Sequence, residues 1–532
     1  GRSSQSFSMD HRDQLPPPDS IPVRLLALSG PAIASQPAAA TDELLEAVSP
    51  DVVVATPPQP TLVSASLTSS RNCDCPVLVP ERGVRARSVT VSHRGCVVTA
   101  IPPGVTDVDD LAAASEQPAG ADDDRSASSS SSNPGASPNR ICITPQLTLA
   151  VDPYERSATL DGVGEYCESI PTAWQTDDTV HCSTGLRTGF TRQADRATGT
   201  LTVVGVGQAD AALGVGVADT DPAAVVEIHP GGIVSVDTVS PDAFGLTGIS
   251  GVGTKRAETL RRADYQTPHD VAAAQPRELA RLDRIGRSVA AAIHDAATAR
   301  GNGTVVATGD DSLPRGDPIF IDIETDGLEP SVAWLVGVLD GDAADGHYMP
   351  FTQPEPESAD HLEAFLSWAD ANARGRPLVA WNGWGFDFPV LEDQIRQRCP
   401  AYTETWNELY QFDPLWWATR KNGGNAALPG YDNTLETVAS ALGWTPTTAG
   451  IDGQTVAEIY TAYRQAWLAA ADQSRVQPPD WGRLEAYCED DVRALATIYD
   501  ALDAAARRDR GTTTTNGQTT TESTQGALSD FT

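Results

Sequence analysis

The sequence predicts an α/β protein. Its C-terminal part, residues 317–506, reads as a mixed sheet flanked by helices, preceded by a small all-α segment and by an α/β to β-rich N-terminal region. Three observations predict it. Apolar runs at 318–323, 332–339 and 346–351 follow one another with short breaks and read as a meander of three strands, after which helix and strand patterns alternate. Helix formers and arginines punctuated by glycine fill 246–300. Upstream, Val-rich segments with glycine breaks, such as Leu201–Val206 and Gly232–Val239, read as short strands and turns.

A chain of 532 residues is long enough for about three domains. Residues 1–20 are rich in Ser, Asp and Pro and read as disordered, with Met9 a possible start; the apolar run Leu25–Leu28 is too short for a signal-peptide core, so the cytoplasm is the expected location. Region 21–111 has weak α/β character, with strands at 25–28 and 51–55 around a helix at 42–48. A Ser/Asp-rich linker at 112–140 is expected to separate it from a β-rich region at 141–245. Neither region shows chemistry. A Gly/Thr/Asp-rich linker is expected at 301–316 and a disordered Thr-rich tail at 507–532.

The formal charge is −35, and of the 37 basic residues only Lys255 and Lys421 are lysines. An acidic, lysine-poor, arginine-using chain reads as adaptation to very high intracellular salt, where charge repulsion is screened. A halophilic source removes the objection that so negative a protein avoids nucleic acid. No apolar run approaches the roughly 20 residues of a membrane helix. Eight cysteines in so long a chain are isolated thiols rather than a disulfide framework. The Cys73-x-Cys75 pair with His93 and Cys96 downstream resembles a zinc site only loosely and is read as ordinary thiols.

Asp322 and Glu324 are two apart on the first strand of the meander, so both project to one face while Ile321 and Ile323 point to the other. Two adjacent carboxylates repel unless a cation sits between them; a solvated acidic edge is the competing reading, and the apolar neighbours weigh against it. Asp387 closes the run Trp381-Asn382-Gly383-Trp384-Gly385-Phe386, a strand end turning into a helix at 389–398, where an acid can also be a helix cap. On a helix from 481 to 505, positions 484, 488, 491, 495, 498 and 502 form one face that is apolar or Cys except for Asp491. A carboxylate there needs a metal or a buried arginine. Tyr487 lies one turn before Asp491 on the same side, whereas Asp490 is rotated about 100° from it, toward solvent, and is not expected to be a ligand.

Before this region, Gly251-Val252-Gly253 precedes a helix start, where backbone N–H groups and the helix dipole suit a phosphate oxygen, and Lys255 adds a cation. Residues 251–300 carry nine basic against six acidic side chains, a local net of +3 in an acidic protein. The segment resembles the tandem helix-hairpin-helix module of recombinases and repair nucleases, with Arg284-Ile285-Gly286 as the second hairpin. Arg284 replaces the usual first glycine there, so that half is expected mainly to pack against the first. The resemblance implies sequence-independent contact to a DNA backbone; glycines that merely cap helices are the plainer alternative.

The acidic motifs together resemble the DEDD superfamily of 3′–5′ exonucleases in its tyrosine subclass. Asp322-Ile323-Glu324-Thr325 matches the first motif, Asn382 to Asp387 the second, and Tyr487-x-x-x-Asp491 the third. The flanks are similar to family-B polymerase proofreading domains and the layout to RNase H-like predicted exonucleases outside polymerases. No polymerase domain follows, so proofreading in cis is not expected. The resemblance implies a ribonuclease H-like fold and two Mg²⁺ or Mn²⁺ ions about 3.5–4 Å apart. Asp322 would bridge both ions, Glu324 and Asp491 would complete one site, and Asp387 would fix the second ion largely through water. Tyr487 would orient or help deprotonate the attacking water. Asn382, Phe386 and Leu328 would position the terminal nucleotide. The expected function is a metal-dependent 3′–5′ exonuclease in DNA repair or nucleic-acid processing, with single-stranded DNA ends as favoured partner. A structure-specific endonuclease and a non-catalytic DNA-binding scaffold are the alternatives.

Overall fold

The computed structural model describes residues 22–518 except 35, 69–74, 92–95, 105–139, 153–156, 177–178, 197–198, 208–222, 230–233, 328, 421–423 and 449–450. The expected disordered start, most of the Ser/Asp linker, Cys73, His93, Leu328, Lys421 and the tail beyond 518 lie outside these residues. The chain forms two compact units that divide near residue 248.

In the first unit the strands are β1 (Val23–Ser29), β2 (Val52–Thr56), β3 (Val77–Leu78), β4 (Arg87–Val91), β5 (Cys96–Ala100), β6 (Arg140–Thr144), β7 (Thr148–Asp152), β8 (Ser157–Asp161), β9 (Thr179–Arg187), β10 (Thr191–Arg196), β11 (Gly199–Gly207), β12 (Ala223–Ile228) and β13 (Val234–Val239). They build a five-stranded sheet, β13-β12-β1-β2-β3, a six-stranded sheet, β10-β11-β9-β6-β5-β4, and the hairpin β7-β8. The expected separation of 21–111 from 141–245 does not hold, because β1 pairs with β12 and β5 with β6. The reason is burial. Leu25, Val52 and Val54 face Val98, Ile141, Val180 and Val204 across one core, while Leu26, Leu28 and Val53 are buried on the opposite face. Strands apolar on both faces need cover on both, and the later segment supplies part of it. Helices α1 (Gly30–Ala34) and α3 (Pro60–Thr68), with α2 (Ala38–Val48) between them in sequence, accompany the five-stranded sheet.

The second unit opens with α4 (Thr254–Arg262), α5 (Pro268–Ala273), α6 (Pro276–Leu279) and α7 (Arg287–Asn302). Ala257, Leu260, Val271, Leu279, Ile285 and Ile293 are buried in this all-α segment. Thr267 caps α5 through a reciprocal box with Asp270, and Pro268 occupies the first turn, where no backbone donor is missed. The expected linker at 301–316 is anchored: β14 (Val306–Ala307) pairs with a later strand at Ala426–Ala427, and Asp311 accepts from Arg420 and Asn425.

Next come β15 (Ile319–Thr325), β16 (Ala333–Asp340) and β17 (His347–Thr352) as the expected antiparallel meander, then α8 (Asp360–Asn372), β18 (Pro377–Val379), α9 (Asp387–Arg398), β19 (Tyr410–Phe412), α10 (Pro414–Thr419), α11 (Leu435–Ala441) and α12 (Trp481–Gln518). The sheet order is β17-β16-β15-β18-β19, with β18 parallel to β15 and β19 parallel to β18. Ile319, Ile321 and Ile323 pack with α8 and α9 on one face; Phe320, Leu339 and Val379 pack with α12 on the other. Each fully buried isoleucine contributes roughly 1.5–3 kcal/mol by leaving water. Helix α12 runs past the expected boundary at 506: Ala504, Ala505, Ala506, Arg507 and Arg508 are strong helix formers, and the helix continues through Gly511 and the four threonines after it to Gln518.

Candidate metal and nucleic-acid site

Alternation along β15 places Asp322 and Glu324 on the face that carries Phe320, toward α12. There, ligand atoms of Asp322, Glu324 and Cys488 all lie within 4.8 Å of one another. The Cys488 thiol contacts Asp322 Oδ2 at 3.6 Å and the Asp322 carbonyl at 3.8 Å. Gly337, which pairs with Asp322 across the sheet, lets the helix come so close: a Cβ at this position would fall inside 3 Å of Cys488 Sγ.

The electrostatics bring in the other two acids. Burial, then the carboxylates of Asp491, Glu324 and Asp387, push Asp322 well above the ordinary carboxylate range. Burial and then Asp491 and Asp387 do the same to Glu324. Asp491 is raised by burial, Glu436 and Asp490, against a lowering hydrogen bond from Tyr487. Asp387 is pushed up to about 7, mainly by burial, while its own backbone and that of Ile323 pull it down and Asp413 pushes it further up. Carboxyl groups from β15, α9 and α12 thus act on one another at one place, with Glu324 and Asp387 buried and Asp322 and Asp491 half-buried. Among the described residues, no arginine, lysine or histidine pairs with any of them. Glu324 Oε1 is buried with no hydrogen-bond partner, so the set is suited to a hard divalent cation, which takes oxygen ligands.

Asp387 is the first residue of α9 rather than its cap, and the preceding Phe386 makes no side-chain cap bond. Burial and then Asp491 hold the Tyr487 phenol well above its usual range, and it bonds to Asp491. A protonated phenol donates that hydrogen bond. Asp490 is not turned toward solvent: it is only 4% exposed and accepts from Thr447 N and Oγ1 at 2.9 and 3.0 Å. The segment before it in space covers that side of the helix, so Asp490 is engaged, not bare. Asn382 adopts φ 54°, a left-handed conformation asparagine tolerates, and its side chain fills the space a Cβ at Gly385 would need. Phe386 is half-buried.

Sequence reasoning missed Asp413 and Glu436. Asp413 is buried and caps α10, accepting from Trp416 N at 3.1 Å and from Trp384 N at 3.2 Å. The dipeptide Asp413-Pro414 is the cap-then-proline signal of a helix start. Glu436 lies in the first turn of α11 and has no pattern that marks it.

In the all-α segment, Gly251 has φ 85° and Gly253 begins α4 with no side-chain cap; Gly286 begins α7 in the same way. Lys255 is exposed beside the first of these helix starts. Arg256 turns inward, donating from Nη1 to Gly251 O at 2.7 Å and from Nε to Arg284 O at 3.3 Å, so it ties the two turns together. Arg284 itself sits at φ 63° where a glycine would be unstrained.

Residues 319–503 match the RNase H superfamily. Residues 245–299 match the SAM-like helix-hairpin-helix tandem. No curated protein matches the chain. The RNase H superfamily domain and the helix-hairpin-helix tandem before it agree with the fold expected for 246–506, and together they indicate a nuclease-type, nucleic-acid-binding protein. The acidic cluster belongs wholly to the RNase H-like domain. Among the described residues, no helix is long and apolar enough to cross a membrane.

Proposed function

We propose that this protein is a divalent-metal-dependent 3′–5′ exonuclease of the DEDD type, acting on single-stranded or frayed DNA ends that the helix-hairpin-helix tandem holds by the phosphate backbone. The observation that carries the proposal is the convergence of Asp322, Glu324, Asp387 and Asp491, each buried or half-buried, with no basic partner among the described residues. Those four would hold Mg²⁺ or Mn²⁺, and Cys488 stands within reach of two of them. Bound divalent ions supply charge stabilisation to the scissile phosphate and make water a better nucleophile at neutral pH. The chain's own residues do the rest. Tyr487 bonds to Asp491 and orients or helps deprotonate the attacking water. Asn382 and Phe386, on the loop into α9, contact the terminal nucleotide. The Gly251–Gly253 turn, with Lys255, holds phosphate without reading sequence.

The test is digestion of matched 5′-labelled DNA and RNA strands in molar KCl, the salt suited to so acidic a chain. A ladder shortening from the 3′ end with Mg²⁺ or Mn²⁺, absent in EDTA, is expected, and circular single-stranded DNA should stay intact. Cutting of the circle would instead indicate a structure-specific endonuclease, the class of nuclease that helix-hairpin-helix modules often accompany. Binding without any cleavage would leave the scaffold.

A further inference from the structure

Trp384 and Trp416 are 49% and 52% exposed, although tryptophan is on average a well-buried residue. They are far apart in sequence, yet one carboxylate holds their backbones together: Asp413 Oδ2 accepts from Trp384 N and Oδ1 from Trp416 N. Each indole is also braced. Trp384 packs edge-to-face with core residue Phe388, with centroids 5.1 Å apart and an interplanar angle of 67°. Arg420 lies over the Trp416 ring, 4.9 Å from its centroid, and is itself paired with Asp311. Bracing on one side leaves a fixed π surface on the other at little entropic cost. Trp384 also sits three residues before Asp387, on the loop that delivers that acid, and Asp413 is close enough to Asp387 to raise it.

We propose that Trp384 and Trp416 form a platform on which unpaired nucleobases of a single strand stack beside the acidic cluster, with Asp413 as the positioning residue that fixes their spacing. The proposal rests on the nuclease reading for its ligand class and gives that reading a reason for single-strand preference: bases inside a duplex have no free face to offer. Stacking is indifferent to sequence, because every base has a π face.

Binding of a fluorescent single-stranded dT oligonucleotide to the full-length protein, followed by anisotropy in EDTA, separates this from cleavage. A second strand of equal length with abasic sites removes the bases and keeps the phosphates. Trp384→Ala and Trp416→Ala should each weaken binding of the dT strand by about 5- to 150-fold, and Trp384→Phe and Trp416→Phe should restore most of it. The parent should bind the abasic strand as weakly as the Trp384→Ala/Trp416→Ala double variant binds dT, and the double variant should lose nothing further on the abasic strand. Equal losses on both strands, no loss on either, failure of the parent to bind dT, or an altered oligomeric state with unchanged DNA binding would each overturn the platform. A parent that binds in this base-dependent way yet cleaves nothing with Mg²⁺ or Mn²⁺ would sink the nuclease reading and leave the platform standing.

Discussion

Gly337 and Cys488 meet so closely across strand and helix that position 337 has no room for a side chain: a Cβ there would run into Cys488 Sγ and lie 3.2 Å from the ring and hydroxyl of Tyr348. The last helix therefore lies directly on the strand that pairs with Asp322. Gly337→Ala should push α12 off the sheet, costing roughly 1–3 kcal/mol as overpacking and lowering cleavage by moving Asp491 away from Asp322. Thermal melts and digestion of the same preparations check this. Cys488→Ala combined with Gly337→Ala should recover part of both losses, since the two side chains contend for one space.

Removing one acid separates catalysis from folding. Asp322→Asn should reduce cleavage on the order of 10⁴-fold, the scale at which loss of one essential group acts in other hydrolases. It should also raise the melting temperature in EDTA, because it relieves repulsion with Asp491, Glu324 and Asp387. DNA binding in EDTA should be unchanged. A variant that trims an end-labelled strand at the parent rate would show the site to be elsewhere.

Proton binding at Asp387 gives a pH dependence with a definite sign. Its folded value of about 7 lies above the unfolded carboxyl value of about 3.9, so the folded chain holds the proton more tightly. The stability this lends is lost as pH rises from about 4 to about 7. In EDTA, Asp387→Asn should therefore be more stable than the parent at pH 8, with the gap shrinking toward pH 4. MgCl₂ at pH 8 should raise the melting temperature of the parent more than that of Asp387→Asn, since a bound cation offsets the same repulsion that the proton does.

For the helix-hairpin-helix tandem, Lys255→Ala should weaken DNA binding and reduce the slope of log K against log salt by roughly 0.7–0.9, the loss of one phosphate contact. Gly251→Ala should cost roughly 1–2 kcal/mol, because φ 85° is strained for any residue with a Cβ. Arg256→Ala should loosen both turns at once and reduce binding through the fold rather than through charge, leaving the salt slope closer to the parent's. Anisotropy titrations across a KCl series distinguish the three.

What the sequence revealed about the site followed from periodicity. A two-residue repeat on β15 put Asp322 and Glu324 on one face, and helical phase singled out Asp491 from Asp490. Phase could not say what covers the far side of α12, so Asp490, bonded to Thr447, looked solvent-facing. Asp413 and Glu436 were invisible because their importance depends on which loops fold beside Asp387 and Asp491. The N-terminal regions were misdivided for a related reason. An intervening polar stretch says nothing of whether the strands on either side pair, and β1 finds β12 some two hundred residues away.

Helix α12 carries Tyr487, Cys488 and Asp491 into a domain whose family match ends at residue 503. During synthesis, the strand with Asp322 and Glu324 emerges long before the helix that must lie against it. A chain halted before residue 491 would have the first acids without the last, and would lack the helix that buries them. If this is a nuclease, it is inert until nearly the whole domain has left the ribosome, and C-terminal truncations that remove α12 should yield proteins unable to damage the nucleic acid around them.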